Sequence, residues 1–257
     1  MVLFLSGVAG GTGPTVLSEF YQTLGDLAEA TGGPYYLSDY ESSWNFPQRG
    51  IYVFFHPSTD PQVDPPTEWS IARIGTVGVS EGSTATLQGR VRQHRGNASG
   101  KYGEGGGNHR GSVFRLHVGQ ALIEEHGWQD KYPHWGSSHR DLPDDLETES
   151  LRQNEHSLEQ RVSEYIRSMP FLVIDIPGEP HSDCERARFE KNLIALVSHK
   201  RRTNPALMNS DWLGISSPRA EINQTGLWNI NHVSGFYSES IINELKPYTN
   251  STDPLVE

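Results

Sequence analysis

The sequence predicts an α+β fold in which helices flank a small antiparallel three-stranded sheet. Two runs rich in β-branched and aromatic residues, 50–56 (GIYVFFH) and 69–79 (WSIARIGTVGV), are joined by a Pro/Asp-rich connection and predict an antiparallel hairpin. A third run, FLVIDI at 171–176, lies between two prolines and is typical of a buried strand. Apolar residues recur at helical spacing around these runs, which predicts the flanking helices.

The first strand alternates two sets of side chains, and its tyrosine has two interpretations. A tyrosine on a core strand usually fills space with its ring and finds one partner for its hydroxyl. The alternative is that the hydroxyl of Tyr52 faces a reaction. One face of the strand carries Ile51, Val53 and Phe55, and the other carries Tyr52, Phe54 and His56.

The helices follow from the period of the apolar residues and from the residues that begin or end a helix. Pro14 suits a first turn, Gly32 and Gly33 end the N-terminal pattern, and S-x-x-E at 182–185 is a capping box. The predicted helices cover 14–30, 83–95 with Ser83 or Thr84 as the cap, 112–127, an acidic segment that ends at about Arg167, 182–198, and a short segment within 238–246.

Bulk composition excludes several classes of protein. The chain has 257 residues and a net charge of −11, which argues against a protein that coats nucleic acid without specificity. No apolar run approaches the roughly 20 residues that span a bilayer, so we predict no membrane partner. Cys184 is the only cysteine, which rules out an intramolecular disulfide and a multi-cysteine zinc site. The apolar start of the chain lacks a basic leader, and we predict a cytoplasmic protein.

One stretch reverses the sign of the overall charge. Residues 87–117 include six basic residues and one acidic residue. Within them, GEGGGNHRG at 103–111 is too rich in glycine for a regular element. We hypothesise that its backbone amides, together with His109, Arg110 and Arg115, bind a nucleic-acid backbone. The alternatives are a solvated charged loop and a structural loop in which the histidine is packed.

The predicted helix over 83–95 carries an arginine and a histidine on its apolar side. Arg90 and His94 point the same way as Leu87, whereas Arg92 points to water. A guanidinium on an inward face is costly unless it is paired or lines a wet cleft. The alternative for Arg90 is that its aliphatic stem packs against the core while its head reaches water.

A carboxylate stands in the apolar stripe of the helix that follows the third strand. Glu190 lies on the same face as Leu193 and Val197. Acidic side chains are rarely buried without a partner. Two interpretations remain open: Glu190 pairs with Arg186 one turn earlier, or it is directed at a divalent cation, which prefers oxygen ligands.

These features together resemble the GIY-YIG nuclease family. The sequence has GIY at 50–52, ARIG at 72–75, and Arg90 and His94 four residues apart. The segment FEKNLIAL at 189–196 is similar to the glutamate helix of that family, particularly in excision-repair incision nucleases. The order strand, strand, helix, insert, strand, helix agrees as well.

The resemblance implies a division of the chain. A GIY-YIG-like nuclease domain covers 49–205 and is interrupted by an insert at about 96–168. An N-terminal helical extension (1–48) precedes it, and a C-terminal extension (206–257) packs on the core. Within that extension, TGLWNINHV at 225–233 favours core packing of its tryptophan, the alternative being a wall of the cleft.

The resemblance also implies a role for each matching residue. Tyr52, activated with help from His94 or a metal-bound water, is the general base toward the attacking water. Arg90 stabilises charge on the scissile phosphate. Glu190 holds a single Mg²⁺ or Mn²⁺ ion that polarises a phosphate oxygen and assists the leaving oxygen. Phosphodiester hydrolysis requires groups of these kinds.

The sequence departs from the family at one position and leaves another open. Arg73 stands where the family has the tyrosine of its second motif, and it either contacts a phosphate in place of the hydroxyl or signals altered or lost activity. An asparagine usually follows the glutamate helix; Asn204 has the best spacing, and Asn209 is the alternative.

These residues lead us to expect a metal-dependent endonuclease that acts on nucleic acid, DNA more than RNA, with Arg73 and Arg92 also contacting the substrate. One alternative is a catalytically impaired nucleic-acid-binding relative of the same fold. Another is a metal-free protein-interaction domain, which fits the acidic net charge.

Overall fold

The computed structural model describes residues 15–56, 69–97, 99–100, 103–138, 142–143, 146–203 and 211–256. The helices are α1 (Val16–Thr31), α2 (Leu87–Arg95), α3 (Val113–His126), α4 (Thr148–Arg167), α5 (Glu185–Thr203), α6 (Ala220–Asn223) and α7 (Ile241–Asn250). The strands are β1 (Tyr35–Tyr36), β2 (Gly50–His56), β3 (Ser70–Thr76), β4 (Ser99–Gly100), β5 (Gly103–Glu104) and β6 (Pro170–Asp175). Two short 3₁₀ turns lie at His109–Gly111 and Leu213–Ser216.

The main sheet is antiparallel and has the strand order β1-β6-β2-β3. The three predicted strands form its centre and one edge, so the predicted α+β class is confirmed. The sheet has four strands instead of three because Tyr35 and Tyr36 pair with the start of β6. A strand of two residues is too short to leave a period in the sequence, which is why the prediction missed it.

The alternation predicted for β2 divides the interior into two hydrophobic clusters, one on each face of the sheet. Tyr52 and Phe54 belong to one cluster, which also contains apolar residues of α2, α3 and α4. Ile51, Val53 and Phe55 belong to the other, which is built with residues of α1, α5 and α7. Tyr52 therefore faces the layer that carries His94, and α5 packs behind the opposite face.

Helix α2 begins later than predicted because of its cap. The Thr86 hydroxyl accepts a hydrogen bond from the backbone N–H of Gly89 at 3.1 Å, so Thr86, not Ser83 or Thr84, is the N-cap residue. The helix runs from Leu87 and ends at Gly96. The buried residues of α2 are Leu87, Val91 and His94, and Arg92 is exposed as predicted.

Strand β3 lies at one edge of the main sheet, where side chains from the layers on both faces of the sheet can approach each other. Its pairing with β2 leaves the other side of β3 without a strand partner in the main sheet. Two side chains reach the backbone of that edge. Glu190 comes from α5, behind one face of the sheet, and Asn229 comes from the segment 228–232. Among the described residues, none of the helices combines the length and apolarity needed to cross a bilayer.

Candidate active site

Tyr52 and His94 form a buried pair between β2 and α2. The Tyr52 hydroxyl and His94 Nε2 are 2.9 Å apart, and the two rings meet edge to face with centroids 5.2 Å apart. Both side chains are almost completely covered, at 2% and 1% exposure. Tyr52 is therefore a core residue whose hydroxyl has one partner, as the first interpretation expects. That partner is His94, the histidine of the predicted site.

Glycine at the two motif positions is required by close approach. A Cβ at Gly75, which lies opposite Tyr52 on β3, would overlap the Tyr52 hydroxyl and ring. A Cβ at Gly50 would overlap the carbonyl oxygen of Ile174 on β6. Gly75 thus makes room for the phenol, and Gly50 makes room for the neighbouring strand.

His94 is neutral because its surroundings are both dry and positively charged. Burial, followed by the charges of Arg73, Arg90 and Arg115, lowers its pKa well below the ordinary value. Its other ring nitrogen, Nδ1, lies 2.8 Å from the hydroxyl of Ser112. The imidazole is therefore held at both nitrogens and carries no charge at neutral pH.

Glu190 reaches the open edge of β3 from the opposite layer. Burial raises the pKa of its carboxyl; the nearby charge of Arg73 and a hydrogen bond from the backbone N–H of Thr76 offset part of that effect. Arg186, the partner considered from the sequence, does not pair with it. Arg186 is fully buried and donates instead to backbone carbonyls at the ends of β3 and β6, those of Val77, Gly78, Ile176, Pro177, Gly178 and Glu179.

Two arginines connect the tyrosine–histidine pair with the carboxylate. Arg73 and Arg90 each act electrostatically on both His94 and Glu190, although these last two lie on different helices in different layers. Arg73 and Arg90 thus lie within electrostatic range of both groups, and Arg73 and Glu190 border one cavity, whose lining does not include Tyr52, Arg90 or His94. The half-exposed Arg90 head contacts Gln93 Oε1 at 3.1 Å, so it lies near the protein surface.

Arg73 occupies the position of the family's second tyrosine and keeps one donor unpaired. Its guanidinium lies over the Phe114 ring at 4.9 Å and donates through Nη1 to the carbonyl of Trp228. Its Nε is buried and has no hydrogen-bond partner in the part of the chain that the structure describes. A buried unpaired donor is costly, so this N–H suits an acceptor that arrives with a ligand.

A cavity of about 150 Å³ opens beside Arg73 and Glu190, and we call it the edge pocket. Its remaining walls come mostly from the C-terminal segment that begins at Trp228. Asn229 closes the free edge of β3 as a strand would: its amide accepts from the N–H of Ile74 at 3.1 Å and donates to the Ile74 carbonyl at 2.8 Å. The pocket is lined by Arg73, Val113, Glu190, Ile194, Trp228, Asn229, Ile230, Asn231 and His232.

The sequence of 225–233 favours core packing of its tryptophan, with a wall of the cleft as the alternative, and Trp228 is fully buried. Asn229, Asn231 and His232 of that segment line the edge pocket. The same segment also forms the wall of the cleft, so both interpretations hold at once. Three polar residues directly after a buried tryptophan were the available signal. Asn204 and Asn209 lie outside the described residues, and their roles stay predictions.

The three basic residues of the insert that were predicted to bind nucleic acid do not line the edge pocket. His109, Arg110 and Arg115 form, with Glu155 and Glu159 of α4, a set that we call the insert network. Arg115 is 0% exposed, and its Nε lies 3.0 Å from Glu159 Oε2. Arg110 makes a two-pronged contact with Glu155, at 2.6 and 3.0 Å. In this arrangement the three side chains pair with the carboxylates of α4, which leaves them little capacity to bind a nucleic-acid backbone.

The glycine-rich loop surrounds the Arg115 guanidinium. A Cβ at Gly107 would overlap the Arg115 head, and one at Gly96 would come within 2.8 Å of Arg115 Nη1. Arg115 Nη1 also donates to the carbonyl of His94 at 3.0 Å. These contacts favour the interpretation of a structural loop whose charged residues are packed. Its glycines provide space for Arg115, which supports α2 through the His94 carbonyl.

Glu159 is ionised within the insert network in spite of its burial. Burial alone raises the pKa of its carboxyl, but the hydrogen bond from His109, at 3.0 Å, and the charge of Arg115 outweigh that effect and hold the pKa below its usual range. The network is thus an ion cluster in which Arg110 and Arg115 each contact a glutamate, although Arg110 Nε, like Arg73 Nε, is buried without a hydrogen-bond partner among the described residues.

The edge pocket fits a divalent cation that is held by few protein ligands. The described residues include no group of three or more His, Cys, Asp or Glu side chains that could enclose a metal ion. Mg²⁺ keeps several waters and is bound through one or two carboxylates together with substrate phosphates. The single carboxylate of Glu190, with the amide of Asn231 in the same cavity, is a donor set of that kind.

The fold is that of a mixed α+β domain in which helices flank an antiparallel sheet. A family model for the GIY-YIG domain matches residues 14–255, and the chain belongs to that family. The match runs through the N-terminal helix, the insert and the C-terminal segment that lines the edge pocket. No curated protein and no solved structure matches the chain.

Proposed function

We propose that the protein is a metal-dependent endonuclease that hydrolyses phosphodiester bonds in nucleic acid, with DNA as the substrate. One observation supports this most strongly: the Tyr52–His94 pair, with its 2.9 Å hydrogen bond, shares the electrostatic influence of Arg73 and Arg90 with the carboxylate of Glu190. The separation of these residues in the sequence means that only the fold assembles them. The domain at 49–205 would carry the reaction, in the cytoplasm.

Tyr52 would act as the general base that takes a proton from the attacking water. A hydrogen bond donated to a phenolate oxygen and nearby positive charges favour the ionised phenol, whereas burial opposes it. His94 can donate that hydrogen bond, because it is neutral, held at both nitrogens and in contact with the Tyr52 oxygen.

Arg73 and Arg90 would neutralise the scissile phosphate. The unpaired Nε of Arg73 supplies a donor that a phosphate oxygen satisfies. Arg90 lies at the surface, where substrate arrives, and the exposed Arg92 extends the positive charge along the same helix. The insert network is not included in this surface, because Arg115 is wholly enclosed and Arg110 is paired.

Glu190 would hold Mg²⁺ or Mn²⁺, with Asn231 as a neighbouring oxygen donor. When bound, the cation supplies positive charge to a phosphate oxygen and to the leaving oxygen. The pKa of Glu190 is raised by burial, so its affinity for a cation increases as the pH rises and the carboxyl loses its proton.

Substrate must open a path to Tyr52, because its side chain is 2% exposed. Its ring packs against Phe54 and His94. In the edge pocket, a phosphate that draws the Arg73 guanidinium toward itself would break the contacts of Arg73 with Phe114 and with the Trp228 carbonyl.

Plasmid cleavage with two variants and two matched controls tests the proposal. With magnesium, the wild-type protein is expected to nick or linearise plasmid, whereas Tyr52→Phe and Glu190→Ala lose about 10²-fold or more of the rate. Tyr35→Phe also removes a buried, hydrogen-bonded tyrosine hydroxyl from the same sheet, but away from the pocket. Glu185→Gln removes an exposed carboxylate from the same helix. Both controls should retain cleavage.

A catalytically impaired nucleic-acid-binding relative is the second candidate. The presence of Arg73 in place of a tyrosine and the burial of Tyr52 favour it. It predicts salt-sensitive binding of DNA and the same background cleavage in wild type, Tyr52→Phe and Glu190→Ala. No binding of any polynucleotide would exclude both candidates.

A further inference from the structure

The Ser112 hydroxyl links helix α3 to the proposed base. Ser112 is the N-cap residue of α3 and is buried. Its oxygen accepts a hydrogen bond from the backbone N–H of Arg115 at 3.3 Å and lies 2.8 Å from His94 Nδ1. A single oxygen from the insert therefore holds the imidazole that contacts Tyr52.

The hydroxyl proton of Ser112 has one acceptor within reach. An N–H can only donate, so Ser112 Oγ is the acceptor toward Arg115. Among the described residues, the remaining hydrogen-bond partner of Ser112 Oγ is His94 Nδ1. If Nδ1 carried the imidazole proton, the Ser112 oxygen would accept twice and its own proton would stay unpaired in the core, which is costly. The opposite tautomer leaves the hydroxyl proton of a neutral Tyr52 unpaired instead, a cost that is absent once Tyr52 is a phenolate. Hydrogen bonding therefore favours the Nε2–H form in the state that acts as the base.

The field of α3 favours the same direction. The N-terminus of a helix carries about half a positive charge, and α3 extends over 14 residues from Val113. A lone pair on Nδ1 directed at that end is favourable, and an N–H directed at it is not. The lowered pKa of His94, caused by burial and by three arginines, excludes the doubly protonated ring at neutral pH.

We propose that Ser112 is a positioning residue that fixes His94 as the Nε2–H tautomer, so that His94 donates its hydrogen bond to the Tyr52 oxygen. This deepens the proposed function and depends on it for its catalytic meaning. His94 then does not remove the proton of Tyr52. That proton leaves to solvent before the reaction, the phenolate takes a proton from the attacking water, and His94 keeps its Nε2 proton throughout.

NMR of ¹⁵N-histidine protein tests the tautomer without any substrate. The chain has 11 histidines, and the His94 signals are assigned by their loss in His94→Gln. In the wild type, long-range correlations should show an unprotonated Nδ1 and a protonated Nε2. Ser112→Ala should populate the Nδ1–H form, and Ser112→Thr, which keeps a hydroxyl cap, should restore the wild-type pattern. A wild-type His94 protonated at Nδ1 would overturn the proposal, whatever the variants do.

Single-turnover cleavage tests the consequence for the base. Ser112→Ala should slow the reaction about tenfold, the usual effect of one lost hydrogen bond, and move the rising limb of its pH profile to higher pH, while Ser112→Thr recovers both. Thr15→Ala removes the N-cap of α1, far from the pocket, and should change neither. If Ser112→Ala matches Thr15→Ala in rate and pH profile, Ser112 is only a cap. If the wild type cuts nothing, the proposed function fails, whereas the tautomer is still decided by NMR.

Discussion

The edge pocket and the insert network contain the same residue types and differ in whether their arginines contact a carboxylate: Arg110 and Arg115 do, whereas the hydrogen bond of Arg73 goes to a backbone carbonyl. In the insert network, Arg115 and Arg110 each contact a glutamate of α4, and Glu159 is held ionised. In the edge pocket, Arg73 leaves its Nε unpaired and Glu190 is biased toward its protonated form. Both clusters border His94, the network through its carbonyl and the pocket through charge.

The comparison teaches that charge in a sequence does not by itself mark a binding surface. A run of six basic residues in an acidic chain suggested nucleic-acid contact. Two of them, Arg110 and Arg115, instead form ion pairs with glutamates some 40 residues further along the chain. An ion pair that is satisfied internally has little left for a ligand. The carboxylate whose ionised form is disfavoured is the better signal, because a cation that arrives from outside stabilises it. A buried unpaired Nε does not separate the two clusters, since Arg110 has one as well as Arg73.

The largest expected contrast is between two glutamate-to-glutamine changes. Glu159→Gln leaves Arg115 buried without its carboxylate and should lower the free energy of unfolding by about 3–5 kcal/mol. Glu190→Gln should leave that free energy unchanged or slightly raised, because it removes a carboxylate whose ionised form is disfavoured by burial, and should reduce cleavage about 10²-fold or more. Urea unfolding and single-turnover cleavage measure both effects. Equal destabilisation by the two changes would contradict the comparison.

The pH dependence of stability should have opposite signs for the two carboxyls. The pKa of Glu159 is lowered from its ordinary value of 4.5, so its stabilisation is present above that pH and is lost as the pH falls below it. The pKa of Glu190 is raised from 4.5, so the wild type loses stability relative to Glu190→Gln as the pH rises from 4.5 through the raised value. Unfolding free energies of wild type and both variants, measured between pH 3 and pH 7, check the two slopes. Slopes of the same sign would show that one environment is wrongly assigned.

The smallest expected effect distinguishes two arginines by their ligand contacts. Arg73→Ala should weaken DNA binding several-fold and reduce the slope of log affinity against log salt by about 1, as the loss of one phosphate contact does. Arg110→Ala should leave the slope unchanged and lower the stability, because Glu155 loses its partner. Binding is measured with Glu190→Gln protein as the background, which prevents cleavage. A reduced slope for Arg110→Ala would return the insert to the nucleic-acid surface.

Local patterns predicted most of the architecture. The alternation in 50–56, the buried run before Pro177 and the apolar period of five helices all have counterparts in the structure, because each is dictated by which side chains must leave water. The errors are short-range ones. Thr86 rather than Ser83 or Thr84 caps α2, and β1 arises only because β6 offers it an edge.

The candidate site was predicted only in part, for a related reason. Tyr52, Arg90, His94 and Glu190 could be named because they carry a family motif or interrupt an apolar stripe. For the segment that contains Asn229 and Asn231, the cleft wall is only the second interpretation, since nothing in a polar segment of sequence states that it will close a sheet edge. The role of Ser112 depends on a contact across 18 residues that no periodicity records.

The sequence by itself determined the family, the strands and helices and the residues that oppose their surroundings, since these depend on composition and period along the chain. Tertiary structure alone decided which charges are paired. A hydrogen bond or an ion pair depends on distance in space, and α4 and the segment 228–232 approach their partners from far along the chain. That is why one arginine, Arg115, is a buried structural support in the insert, whereas another, Arg73, lines the pocket at the edge of β3.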